Sequence, residues 1–248
     1  MKTVFVIREK GPFDEVLHDS GIKVVNVPSI RTVAEDDLSA LNRALDRQSE
    51  FNGIFVSSSV AAGVLAEEFE RRGIGFGGTL FVVGERSLGL LKGFVRDVFK
   101  DRSFPSAASL LEEIDDGVLQ KGHYLFVRGN RSLGLISQTL NSLVELEEVV
   151  AYRTENREIG EHERQSLVNA AGKDERSWLS FFSPSGAESL INQIGVEVVS
   201  KFYISAIGQT TADFLKANAL EVDLIAVDPS FEIFAKEVSR AVIEKDNN

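Results

Sequence analysis

Hydroxyl side chains stand where apolar runs give way to helical patterns: Ser57 after IFV, Ser183 after LSFF, and Thr210 and Thr211 after ISAIGQ. A Ser or Thr at such a junction is first of all a helix N-cap, worth ~1 kcal/mol. The junction also brings unpaired backbone N–H groups and the positive end of the helix dipole to the carboxyl edge of a sheet, where open α/β folds hold ligands. Such an edge can bind carboxylates or phosphates without a basic patch. Each residue alone reads as a cap, whereas the recurrence of the set points to one anion-holding cleft. Arg8, Arg128 and Arg153 end or follow strand-like runs, so their planar forks can reach the same edge. The alternative for each is an aliphatic stem lying on the surface. Tyr152 closes the apolar run ELEEVVAY before a charged stretch. A phenol there can donate a proton or hydrogen bond into a site, or simply bury its ring in a core.

Other chemistries find little support. Neither Gly-x-Gly-x-x-Gly nor the Gly-Lys-Ser/Thr ending of a phosphate loop occurs, and GIGFGG at 73–78 precedes a strand, so it reads as a turn. His18, His123 and His162 lie far apart with no metal-ligand spacing, and none sits at a strand end of the kind that carries a catalytic base. With no cysteine in the chain, thiol chemistry, disulfides and thiolate metal sites are excluded, which fits a reducing compartment. The net charge of -11 opposes attraction to nucleic acid or anionic lipid. No apolar run approaches the ~20 residues of a membrane span, so a cytoplasmic location is expected.

The elements that must position these residues alternate. Apolar runs at 3–8, 23–27, 53–57, 79–84, 123–128, 178–183, 202–208 and 222–227 read as buried strands. Between them lie amphipathic stretches such as VAAGVLAEEFERRG, GAESLINQIG and FEIFAKEVSRAVIEK. That alternation predicts parallel sheets covered by helices, and 248 residues suffice for two domains.

The same unit also occurs twice. Phe55-Val56-Ser57-Ser58-Ser59 aligns with Phe181-Phe182-Ser183-Pro184-Ser185, and Gly84-Glu85-Arg86-Ser87 aligns with Gly208-Gln209-Thr210-Thr211. Pro105-Ser106 aligns with Pro229-Ser230. Ser57 to Gly84 is 27 positions against 25 for Ser183 to Gly208, while Gly84 to Pro105 and Gly208 to Pro229 are both 21. Two homologous α/β lobes follow, with residues 128–160 crossing between them and the first strand free to complete the second lobe's sheet.

WLSFFSPSGAESL, YISAIGQTTADFLKANAL and VDLIAVDPSFEIFAKEV, in that order and spacing, resemble the carboxyl-terminal half of the uroporphyrinogen-III synthase family. VFVIRE, IFVSSSVAAGVL, VVGERSLGLL, LFVRGNRSLGLISQTL and VELEEVVAYRT resemble its earlier segments, so the similarity spans nearly the whole chain. The resemblance implies two flavodoxin-like parallel-sheet α/β domains joined by a two-stranded connector, with a cleft between them. Residues 1–29 plus 156–248 would form one domain and 30–155 the other. It implies closure of hydroxymethylbilane to uroporphyrinogen III with inversion of ring D and loss of water, using no metal or organic cofactor. Tyr152 then becomes the catalytic candidate, and Arg8, Ser57, Ser87, Arg128, Ser183, Thr210 and Thr211 the substrate-binding ones. Ser87 stands where a Thr is usual and keeps the hydroxyl; Gln209 stands where a Pro is usual. A monomer is expected, with a transient contact to hydroxymethylbilane synthase. The rivals are a non-enzymatic two-lobed module for anionic ligands, derived from the synthase, and a transferase for nucleotide-activated substrates, against which the missing phosphate loop argues.

Overall fold

Apolar runs with no polar face, such as WLSF and the last four residues of FNGIFV, are buried on both sides, as central strands of a helix-covered parallel sheet must be. The computed structural model describes residues 3–114, 118–131 and 134–246. Its strands are β1 (Thr3–Val6), β2 (Lys23–Asn26), β3 (Ile30–Ala34), β4 (Phe51–Val56), β5 (Phe76–Val82), β6 (Val95–Val98), β7 (His123–Gly129), β8 (Glu145–Asn156), β9 (Trp178–Phe181), β10 (Tyr203–Ala206) and β11 (Leu224–Ile225). One sheet runs β11-β10-β9-β1-β2 and the other β3-β8-β7-β4-β5-β6. The pairs within β11 to β2 and within β8 to β6 are parallel, as the alternation of strands and helices requires.

The chain divides into two compact units, Met1–Arg31 with Glu155–Asn248, and Thr32–Thr154. In the first, the period of two along each strand sends Val4, Val6 and Trp178 to one face, against Phe13, Leu17, Phe234 and Val238. Phe5, Ile7, Leu179 and Phe181 go to the other, against Ala187, Leu190 and Leu215. Two hydroxyls inside this sheet, Ser180 and Ser205, satisfy each other at 2.8 Å. In the second unit Ile54, Val56, Leu80, Val82 and Val127 pack on Leu65 and Phe69. Phe55, Phe81, Tyr124 and Phe126 pack on Leu110, Ile136 and Leu140, with the Phe55 and Phe81 rings stacked at 4.4 Å.

The two sheets share one spatial plan. β6-β5-β4-β7-β8 corresponds to β11-β10-β9-β1-β2 with β1 and β2 taking the places of β7 and β8. The chain reverses its winding between β9 and β1 in one sheet and between β4 and β7 in the other, and these switch points are where ligands bind in open α/β sheets.

β3 and β6 escape the sequence pattern because they are the two edges of their sheet. Each buries little, as IRTVA and VRDV show, so neither needs an unbroken apolar run. The segment GIGFGG is only partly a turn. Gly73, at φ +62°, caps the helix Ser59–Arg72, but β5 already starts at Phe76 and contains Gly77 and Gly78. A Cβ on Gly78 would lie 2.6 Å from the Asn52 carbonyl oxygen, so close approach of backbone explains that glycine.

Candidate active site

Hydrogen bonds fix how the two repeats correspond. Val83 N–H donates to the Val56 carbonyl at 2.9 Å, and Ile207 N–H donates to the Phe181 carbonyl at 3.0 Å. Val56 therefore matches Phe181, Ser57 matches Phe182, and Ser58 matches Ser183. The expected pairing of Ser57 with Ser183 is off by one. Ser58 is the N-cap of Ser59–Arg72, its Oγ accepting from Ala61 N–H at 3.1 Å, as Ser183 accepts from Gly186 N–H at 3.1 Å for Pro184–Ile194. Among the described residues Ser57 has no side-chain hydrogen bond, so its half-buried hydroxyl at the end of β4 is not spent on capping. Ser58 went unnoticed because three consecutive serines leave the cap ambiguous by one residue.

The glycine landmarks hold. The helices Glu85–Leu91 and Gln209–Ala217 both start from a glycine, Gly84 and Gly208, with no side chain capping the first turn. The first N–H groups after β10 thus remain available to an acceptor. Gly84 needs its φ of +85°, whereas Gly208 is simply extended. Ser87 and Thr211 occupy the third position of their helices and are 1% and 3% exposed. Thr210 is exposed, so it presents a hydroxyl to solvent more freely than either. A pocket of about 490 Å³ is lined by Gly208, Gln209, Thr210, Thr211, Val227 and Pro229, at the carboxyl ends of β10 and β11.

The arginines part company. Arg128 follows β7's core and its Nε donates to Glu148 Oε2 at 2.5 Å, with Nη1 on the Gly129 carbonyl at 3.0 Å. Arg153 is bound to Glu35 at 3.2 Å and to Asp36 at 2.9 Å. Arg8, just past β1, instead lays its guanidinium over the rings of Phe231 and Phe182, 4.1 and 4.9 Å from their centroids. Burial lowers its pKa from the ordinary arginine value and the charge of Asp14 opposes that shift. The group stays a cation.

Tyr152 lies on β8 beside the core of its unit, where Gly129 is its register partner across a bulge in the ladder. A Cβ on Gly129 would lie 2.6 Å from Tyr152 Cε2 and 2.7 Å from its hydroxyl, so the ring rests directly on the glycine backbone. The ring packs against the core, while its hydroxyl has no hydrogen-bond partner among the described residues. Gly129 was not singled out as a functional residue; the sequence signal was the Arg-Gly pair at the end of an apolar run. His123 pairs with Glu145 at the opposite end of β7, away from Arg128, Gly129 and Tyr152.

Comparisons with known proteins agree with this arrangement. A family model described as uroporphyrinogen-III synthase HemD matches residues 12–235. No curated protein matches the sequence significantly. Among solved structures, the uroporphyrinogen-III synthetase of Helicobacter pylori superposes with a TM-score of 0.65 at 18% identity, covering 98% of this chain and 100% of that one. A mutant uroporphyrinogen III synthase of the extremely thermophilic bacterium Thermus thermophilus gives a TM-score of 0.65 at 15% identity, over 98% of this chain and 100% of that one. At such identities these likenesses establish the α/β fold with parallel sheets, while the family model, which spans most of the chain, establishes kinship. The chain belongs to the uroporphyrinogen-III synthase family, a family of cyclising enzymes.

Proposed function

We propose that the chain is the cyclising synthase of its family, converting hydroxymethylbilane to uroporphyrinogen III with inversion of ring D and loss of water. The observation that carries this reading is the family match over residues 12–235. The reaction breaks the C–O bond of the terminal hydroxymethyl group. The departing hydroxyl takes a proton and leaves as water, and the cation left behind is attacked by the substituted carbon of ring D to give a spiro intermediate. That intermediate reopens and recloses with ring D inverted, and a proton is lost to restore the pyrrole. Uncatalysed closure gives the uninverted isomer, so the protein's main task is to hold a flexible octacarboxylate in one conformation.

Backbone N–H groups at the helix starts after Gly84 and Gly208, with the hydroxyls of Ser57, Ser183 and Thr210, suit that task in each unit. Ser87 and Thr211 shape the third residue of those turns from within. Tyr152 is our candidate for the proton given to the departing hydroxyl, because its phenol is unengaged among the described residues and its ring is fixed against Gly129. The functional domains are proposed as 1–29 plus 156–248 and 30–155, with β3 and β8 as connector. Their limits lie within a few residues of the division between the compact units. Because free hydroxymethylbilane closes by itself to the wrong isomer, a transient contact with hydroxymethylbilane synthase would shorten its exposure.

The test is to add the purified chain to hydroxymethylbilane generated by the deaminase and to separate the oxidised porphyrins. Type III porphyrin is expected, and type I alone would overturn the reading. A non-enzymatic anion-binding module would bind the product while leaving the isomer ratio untouched.

A further inference from the structure

Strand pairing makes Arg8 and Arg128 equivalent. Val6 pairs with Ser180 on one side and Asn26 on the other, as Phe126 pairs with Phe55 and Glu148. Since Phe55 matches Ser180, Val6 matches Phe126, Arg8 matches Arg128, and Asn26 matches Glu148. Both arginines therefore leave the carboxyl end of a strand beside the switch point of their own sheet. Their surroundings differ at every position that touches the guanidinium.

In the second unit Glu148 neutralises Arg128 at 2.5 Å. In the first, its place is taken by the neutral Asn26, whose amide donates to Asp14 Oδ1 at 2.7 Å. Asp14 is fully buried and its other oxygen accepts from Gly11 N–H at 2.6 Å. The nearest carboxylate is thus committed to capping the helix Pro12–Asp19. Ser57 of the second unit is replaced by Phe182. Ala107, the first residue after the Ser106 cap, is replaced by Phe231, the first residue after Ser230. Those two rings are the ones on which Arg8 rests. Ring faces hold the cation without using its N–H donors. Among the described residues the Arg8 guanidinium has neither a hydrogen-bond nor an ion-pair partner.

We infer that Arg8 is the carboxylate anchor of this molecule, held edge-outward by Phe182 and Phe231, and that its equivalent Arg128 is a structural residue that holds β7 to β8. The inference rests on the synthase reading for the identity of the ligand, a tetrapyrrole side-chain carboxylate. An unpaired planar fork is suited to a carboxylate that it grips through two hydrogen bonds.

The experiment compares wild type, Arg8→Gln, Arg8→Lys and Arg128→Gln by two readouts: fluorescence titration with uroporphyrin III, and KM and kcat for type III formation. Thermal melting of each variant checks that it is folded. Arg8→Gln is expected to weaken uroporphyrin binding and raise KM about tenfold with kcat within about threefold, as loss of a charge-assisted pair would do. Arg8→Lys, which keeps the charge but loses the fork, should fall between. Arg128→Gln should lower the melting temperature while changing binding less than about threefold. Equal losses at the two arginines, no loss at Arg8, or no binding of uroporphyrin by the wild type would overturn the inference. The titration decides it whether or not type III porphyrin is formed, so failure of the synthase reading is recognised separately, by type I product alone.

Discussion

The acid role proposed for Tyr152 depends on Gly129. The tyrosine ring rests against the backbone of β7, and the missing side chain of Gly129 is what makes room for it. Tyr152→Phe should lower kcat by about 10²-fold, the lower end of what a positioned general acid contributes, with KM and melting temperature little changed. Wild-type turnover in that variant would leave Tyr152 with its packing role alone. Gly129→Ala should displace the ring, costing about 1–3 kcal/mol of stability, as overpacking generally does, and reducing kcat. Combined with Tyr152→Phe it should add little further loss of kcat, because both changes remove the same group. The tyrosine was legible from the sequence through its position at the end of an apolar strand. The glycine's role was not, since a contact between neighbouring strands depends on register, and a bulge at Arg128 and Gly129 sets that register.

Among the elements, the strand-to-helix junctions carry most of the residues proposed for the site. Ser58 and Ser183 cap their helices, whereas Ser57 stands free of that duty. Ser58→Ala should therefore destabilise the protein by about 1 kcal/mol, whereas Ser57→Ala should leave the melting temperature nearly unchanged and appear in KM. The reverse pattern in a melting and kinetic comparison would restore the original alignment of the repeats. Central strands were legible because two-faced burial demands unbroken apolar runs, and long amphipathic helices because of their three-to-four spacing. β3 and β6, edges with exposed residues, left no such trace. The one-residue slip at the serines has the same origin. Three identical side chains carry no information on which one leaves the strand, and only the bond from Val83 to Val56 decides it.

For the whole molecule, the sequence disclosed a doubled α/β plan and left the first strand free to complete the second lobe's sheet, where β1 pairs with β9; that β1 and β2 stand in the places of β7 and β8 emerges only from the strand order. That relation turns a set of similar segments into two equivalent switch points whose arginines differ in partner. A net charge of -11 set against a polyanionic substrate also has a consequence. At low ionic strength the long-range field opposes encounter, so kcat/KM should rise as salt is raised from about 10 to 100 mM, where the screening length falls from roughly 30 to 10 Å. A fall over that range would mean that the positive groups of the site dominate the approach.

Whether this chain folds hydroxymethylbilane into the conformation that inverts ring D is decided by a single turnover with the protein in molar excess over hydroxymethylbilane, quenched by oxidation and resolved by isomer. Nearly all of the substrate is expected to emerge as type III porphyrin, faster than spontaneous closure. Type I porphyrin formed at the spontaneous rate, with the protein folded and in excess, would contradict it.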